Sequence, residues 1–474
     1  MHQRALLLLI AQIGLLGTVF SISAQSTTDQ VLDPISTTDR LIEALIAKNG
    51  LPGVSVAIRQ DGELLLAKGY GWADVANESP VTPSSSFRTA SVAKVMTATA
   101  LGRLASQGKL DFDLPISTYV DYLPEHLAMM TTRQLASHTS GIRHYSRGDR
   151  LRNRFYGSIE EAVGVFSRVQ PQAEVGQEYA YSTHGYTLLS AVIEGASGQA
   201  YLDYMQEEIF APLGMPHSHP DLIADPAPTD VSVYILNNGS ARLVRNLSDP
   251  SYKWAGAGFR TTPTDLTQMM TAYTNGFIAP EVVEDMFRSA QLNDGTEVQV
   301  GIGWRSGFDA FGRSVIEHAG NWEGARSVIV YYPAEKLSIG LMVNARWNSA
   351  IEETAHLIAA QFLQPSTEAP NTIREEDELR AVFTNSSGEV LEFSAQLQLT
   401  GQGGRLSVDT DREFLQDLPL VYIGYGNVYA AVSTLGLLYL ELGSREEEVG
   451  KLYFYQNRLT RPPLTSGPIL RLKL

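Results

Sequence analysis

The sequence predicts an α+β fold in which one antiparallel sheet, built from both ends of a large domain, surrounds an inserted helical region and is followed by a small all-β C-terminal domain. Three observations carry this. Strand pairs stand near both ends of the stretch from residue 36 to 363, and segments of helical period fill its middle. After a polar, proline-containing break, the pattern changes to alternating apolar and polar residues.

Thr38 to Asn49 reads as a helix, with Leu41, Ile42, Leu45 and Ile46 at helical spacing and Gly50 as the stop. Gly53–Arg59 and Glu63–Gly69 read as strands around Asp61-Gly62, a dipeptide suited to the positive φ angles of a tight hairpin. The interior is richer in helices, expected at Ala93–Gln107, Ser158–Val169, Gly185–Glu194 and Leu202–Phe210. Ser327–Tyr332 and Leu337–Val343 form a second strand pair, and a helix from Ala350 to Leu363 closes the domain. Residues 364–372 read as a linker, polar with two prolines. In residues 373–474, Leu391, Phe393, Ala395, Leu397 and Leu399 alternate with polar residues, as in a half-buried strand. Gly401–Gly404 is expected to turn the chain, and strand-like runs at Val428–Val432, Leu437–Leu442 and Lys451–Arg458 complete a small antiparallel sheet or barrel.

The 474 residues carry a net charge of −16, which makes nucleic acid a poor partner. Residues 1–24 place Arg4 before an apolar run and then small residues ending near Ala24, the layout of a signal peptide, so a secreted or periplasmic location is expected. An uncleaved N-terminal anchor is the alternative, and no other membrane contact is expected. There is no cysteine, which removes disulfides, thiol catalysis and a lipoprotein anchor. No HExxH or comparable ligand pair suggests zinc, and no metal or cofactor is expected.

Three motifs carry chemistry. In Ser91-Val-Ala-Lys94 at a helix start, positions three apart share a face, so the Lys94 side chain can reach the Ser91 hydroxyl. Burial would lower the lysine pKa and make it a base, and the helix N-terminus favours developing negative charge. Alone, the pattern also fits an N-cap serine. A second copy, Ser106-Gln-Gly-Lys109, is rejected because Gly108 should end the helix between its members. The second motif is Tyr181-Ser182-Thr183, whose tyrosine, held as phenolate by the nearby lysine, could shuttle a proton. Tyr179 competes for that role, and a packed core aromatic is the plainer reading. The third is His318-Ala319-Gly320 before the C-terminal strand pair. There the small residues allow a substrate backbone alongside, His318 supplies a hydrogen bond or partial charge, and the N–H of Asn321 completes an oxyanion hole with that of Ser91.

In this order the three motifs resemble the class C β-lactamases and their relatives, the D,D-carboxypeptidases, D-aminopeptidases and related esterases. FRTASVAKVMTATALGRLASQGKLDFD, LASHTSGIRH, the stretch from Tyr181 to Pro216, GAGFRTTPTDLTQMM and HAGNWEGARSVIVYYP look like the family's segments and extend the match over residues 36–363. The resemblance implies a β-lactamase/transpeptidase-like fold and acyl transfer through Ser91, Lys94 and Tyr181, with His318 beside the substrate. It also places Thr183, Ala319 and Gly320 at the substrate. Two departures matter. Thr183 stands where the family usually has Asn, and His318 where true β-lactamases have Lys, so the expected substrate is a small peptide with a D-residue, then an ester, then a β-lactam. A catalytically inert binder of cell-wall peptides is the reading from another class. An α/β-hydrolase is disfavoured because no Gly-x-Ser-x-Gly elbow occurs.

Overall fold

The computed structural model describes residues 33–473 apart from 147, 150–152, 238–239, 310, 347–350, 364–373, 385–389, 401–402, 425–427, 435, 446–447 and 455–469. The expected signal segment and linker therefore lie outside the described residues. Among those described, no helix is long and apolar enough to cross a membrane.

Helix α1 (Pro34–Asn49) starts earlier than its apolar period suggests because Asp33 caps it, accepting from the Ile35 and Ser36 N–H groups, with Pro34 in the first turn. Gly50, at φ 63°, ends it. Strands β1 (Gly53–Gln60) and β2 (Glu63–Asp74) form the expected hairpin, with Asp61 at φ 47° and Gly62 at φ 84° in its turn. A two-residue strand, β3 (Ser79–Pro80), follows. The far end of the domain supplies β4 (Arg305–Phe308), β5 (Ser314–Trp322), β6 (Ala325–Tyr332) and β7 (Leu337–Val343). The sheet order is β3-β2-β1-β7-β6-β5-β4. The two ends meet where β1 pairs antiparallel with β7, from Val54 opposite Val343 to Gln60 opposite Leu337.

One face of this sheet packs on α1 and on α4 (Ile351–Leu363) through Leu41, Val56, Val328, Leu341 and Ile358. The other face meets the inserted helical region, whose core runs through Met96, Leu101, Tyr186, Leu189, Phe259 and Trp304. At the centre of that region α2 (Ala93–Ser106) is buried on most of its circumference, including Lys94, and packs against α3 (Thr183–Ser197). The expected helix at 158–169 is only Ile159–Val163, because the chain leaves the helix at Gly164 and continues in turns. The expected helix at 202–210 is Tyr201–Tyr204 running into one wider π turn, Met205–Phe210.

The C-terminal unit is a closed eight-stranded barrel. Four of its strands follow the alternation read above: Val390–Thr400, Val428–Ser433, Gly436–Arg445 and Glu448–Phe454. Arg374–Thr384, Gly403–Val408, Leu418–Gly424 and Leu470–Lys473 were not expected. Gly403 and Gly404 belong to a strand rather than to a turn, and a Cβ on Gly404 would come within 2.0 Å of the Gln398 carbonyl across the ladder. Barrel residues Val421, Ile423, Ala430, Val432 and Leu437 join the core that holds α1 and α4. Lys48 Nζ donates to the carbonyls of Gln416 (2.8 Å) and Asp417 (3.0 Å), and Gln361 Nε2 donates to that of Ile423 (3.2 Å).

Candidate active site

Ser91 lies in a single 3₁₀ turn, Ala90–Val92, that feeds directly into α2. Ala90 holds φ 45°, a left-handed conformation costing about 1–3 kcal/mol for a residue other than glycine, and it immediately precedes the serine. Thr89 fixes the approach by hydrogen-bonding the Phe259 carbonyl through both its N–H (2.9 Å) and its Oγ1 (2.8 Å). The Ser91 N–H makes no backbone hydrogen bond among the described residues, as expected at a helix start.

Lys94 is wholly buried, with Nζ 3.4 Å from Ser91 Oγ. Nζ donates to the Gly256 carbonyl at 2.8 Å and to Thr183 Oγ1 at 3.1 Å. Burial, and secondarily the positive charge of Arg305, hold its pKa well below the usual lysine range. A neutral amine has two hydrogens and one lone pair. The two acceptors take the hydrogens, which leaves the lone pair for the Ser91 hydroxyl.

Tyr181 lies within side-chain hydrogen-bonding reach of Ser91 and Thr183, and its ring centre is 4.9 Å from Lys94 Nζ. Burial raises its pKa above the ordinary phenol value against the opposing pull of Ser91, Arg305 and Thr183, so the resting group is a phenol. The expectation of a phenolate is therefore corrected: burial outweighs the hydrogen bonds and the Arg305 charge that favour one. Tyr179 is 41% exposed and its ring packs edge-on to His138 instead.

Thr183 is buried and its Oγ1 accepts from Lys94 Nζ, a contact it makes beside its expected place at the substrate. A Cβ on Gly320 would stand 2.4 Å from the Thr89 carbonyl, 2.3 Å from Ser327 Oγ and 3.0 Å from the Ala90 Cβ, so the missing side chain lets the strand approach the turn that carries Ser91. Ser327 Oγ donates to that same Thr89 carbonyl at 2.5 Å, tying β6 to the turn.

His318 is buried, and its Nδ1 lies 2.9 Å from the Ala319 carbonyl, an acceptor only, so Nδ1 carries the hydrogen. Burial first, then Arg305, Lys94 and His138, depress its pKa well below the usual histidine range. The ring is therefore neutral with Nε2 as an acceptor, and a titrating role near pH 6.5 is not expected. β4 pairs with β5 only from Ser314 to Glu317, which leaves His318, Ala319, Gly320 and Asn321 without a strand neighbour on that edge among the described residues. Ala319 is buried, whereas Asn321 is exposed and lines a large cleft beside the site.

Four supporting groups escaped the sequence reading. His138 Nδ1 accepts from the Ser182 N–H and His144 Nδ1 from the Thr183 N–H, each at 3.1 Å, so two imidazoles clamp the backbone that carries Tyr181. Arg305, half-buried on β4, acts electrostatically on Lys94, Tyr181 and His318. The buried Arg88 and Arg260 share Asp221 at 2.6 and 2.7 Å, and the Arg88 guanidinium also lies 4.5 Å from the Trp322 ring centre. The histidines stand within LASHTSGIRH, which was noted only for its likeness. Arg88 and Arg260 likewise stand within the segments FRTASVAK and GAGFRTTPTD, whereas Arg305 carries no local pattern. In the decoy copy, Ser106 is the last residue of α2 and Gly108 is at φ 68°.

The β-lactamase family model matches residues 38–362. The chain belongs to the β-lactamase family. Within that family, human mitochondrial serine β-lactamase-like protein LACTB is 31% identical over 299 residues, covering 48% of this chain and 54% of its own. Penicillin-binding protein 4* of Bacillus subtilis is 25% identical over 394 residues, covering 78% of this chain and 86% of its own. The chain thus spans about half the length of the LACTB relatives it matches. The fold is the β-lactamase/transpeptidase-like one with an added barrel. An octameric penicillin-binding protein homologue from Pyrococcus abyssi superposes with a TM-score of 0.61 at 21% identity, over 92% of this chain and 99% of that one. D-amino acid amidase from Ochrobactrum anthropi SV3 superposes with a TM-score of 0.59 at 24% identity, over 66% and 92%.

Proposed function

We propose that this β-lactamase family member is an exported serine hydrolase that cleaves amide or ester bonds through an acyl-Ser91 intermediate, with D-residue peptides as its preferred substrates. The observation that carries the reading is the buried Lys94 amine, its two hydrogens engaged by Gly256 and Thr183 and its Nζ 3.4 Å from Ser91 Oγ. Ser91 Oγ attacks the carbonyl carbon while its proton passes to Lys94 Nζ. The Ser91 and Asn321 N–H groups receive the oxyanion. As the tetrahedral species collapses, the leaving amine or alcohol takes a proton from the Tyr181 hydroxyl, which recovers one from the Lys94 ammonium. Water then repeats the sequence to release the acid and free Ser91.

The choice among substrates follows from His318. A neutral imidazole supplies no fixed positive charge where true β-lactamases have lysine, which ranks β-lactams below peptides and esters. The likeness to D-amino acid amidase supports D-residue amides first. A fluorescent phosphonate serine probe tests the chemistry. The full chain should be labelled, Ser91→Ala should not be, and Ser91→Ala should lose hydrolysis of the best substrate in a panel of D-amino-acid amides, D-Ala-D-Ala peptides, short esters and a cephalosporin by roughly 10⁴-fold or more. An unlabelled wild-type protein would favour a peptide binder.

A further inference from the structure

Although the chain carries a net charge of −16, a cleft adjoining the candidate site is rich in arginine. Beside Asn321 opens a cavity of about 1090 Å³, and Arg242, Arg245 and Arg346 line it. All three are exposed, and none forms an ion pair with a described carboxylate. Arg88, Arg133, Arg143, Arg154, Arg260, Arg288, Arg313 and Arg326 all do. The carboxylate in the cavity wall, Glu323, is already engaged: it accepts from the Ser248 N–H at 2.8 Å and faces Arg88 at 3.6 Å.

Two of these arginines are held by paired backbone, and Arg245 follows two residues after the hairpin strand. Arg242 lies on the hairpin strand Ser240–Leu243, opposite Ile235. Arg346 lies on the short strand Ala345–Arg346, which runs parallel to Tyr234–Ile235. A guanidinium is always charged and matches a carboxylate with two parallel N–H groups. Three of them line a cleft that shares Asn321 with the candidate site, against the single carboxylate of Glu323, and such an excess of positive charge concentrates oppositely charged substrate.

We propose that this cleft selects acidic peptides, holding two or more substrate carboxylates on Arg242, Arg245 and Arg346 while the scissile bond lies at Ser91. The inference rests on the serine-hydrolase reading for the position of the scissile bond, but the cleft binds carboxylates whether or not Ser91 is acylated. Binding is therefore measured on full-length Ser91→Ala protein, by calorimetry, with a short acetylated peptide amide containing two glutamates and with its glutamine counterpart. The glutamate peptide should bind roughly tenfold more tightly, the scale of a few screened surface pairs acting together. That preference should shrink in 0.5 M salt and vanish in an Arg242→Gln, Arg245→Gln, Arg346→Gln variant, whose exposed substitutions leave the core intact. Equal binding of the two peptides, or a preference that survives in the triple variant, overturns the proposal. Phosphonate labelling of the wild type reports separately on Ser91. A labelled protein without glutamate preference refutes only the substrate class, and a glutamate preference in an unlabelled protein refutes only the acyl transfer.

Discussion

At the scale of single residues, the site depends on a lysine kept from its usual charge. The unfolded chain protonates Lys94 at neutral pH, whereas the folded chain, by burial and the field of Arg305, resists doing so. Activity that needs the free amine is present above the folded pKa of Lys94 and is lost as pH falls through it. Removing the Arg305 charge relieves part of the depression, so in Arg305→Gln the acid limb of kcat/KM should move to higher pH, with the two enzymes converging on the alkaline plateau. A limb that stays in place, or moves to lower pH, would show that Arg305 does not act on the base. Neither enzyme should show a separate step from His318, whose pKa burial alone, the largest cause, already holds low. Ser91, Lys94 and Tyr181 were legible because helical spacing and a short motif place them. Arg305 was not, because its influence arises from a strand edge brought near the site by the fold of a segment more than 200 positions along the chain, and nothing in GIGWRSG announces it.

At the scale of elements, the candidate site is a junction between the 3₁₀ turn at Ser91, β5 and β6. The sequence reading assigned the glycine of His318-Ala319-Gly320 to the substrate because small residues on a strand admit a neighbouring backbone. The structure also sets Thr89 and Ala90 against that glycine, an intramolecular contact that no local pattern announces. Gly320→Ala would push β5 from the nucleophile turn. The expected result is a loss of about 1–3 kcal/mol of stability, typical of overpacking. A fall in kcat of roughly tenfold or more, with little change in KM, should accompany it. Normal kcat in a stable Gly320→Ala protein would mean that the turn and strand are not rigidly coupled. Helix limits were read less well where the chain departs from the regular α form. At 164 a glycine ends the helix, and at 205–210 the turn widens to π, and both depend on packing rather than on apolar period.

At the scale of the whole molecule, the sequence showed that the last hundred or so residues change character but not that they close on themselves. Strands such as Arg374–Thr384, rich in charge, lack the alternation that marked Val390–Thr400, and closure depends on the pairing of that strand with Leu470–Lys473 at the far end. Nor did it show that the barrel shares a core with the sheet domain. Because Val421, Ile423, Val432 and Leu437 pack with α1 and α4, the two units should unfold together, as one calorimetric transition, and Ile423→Ala should lower that transition as a whole at a cost of about 2–5 kcal/mol. Two separated transitions, with only one moved by the substitution, would show that the interface is not cooperative.

The strand order also bears on how the protein behaves when crowded. An unpaired strand edge is a template for other chains, and proteins limit that hazard by closing sheets, shortening edge strands or placing proline on them. Here the barrel is closed, one rim of the large sheet is the two-residue Ser79–Pro80, and the other is the four-residue Arg305–Phe308. The stretch that β4 leaves uncovered, His318–Asn321, runs beside the nucleophile turn to a cleft lined by arginine. The backbone that the short edge strand leaves open is thus only four residues long and borders a recess, so the gap offers another chain little to pair with.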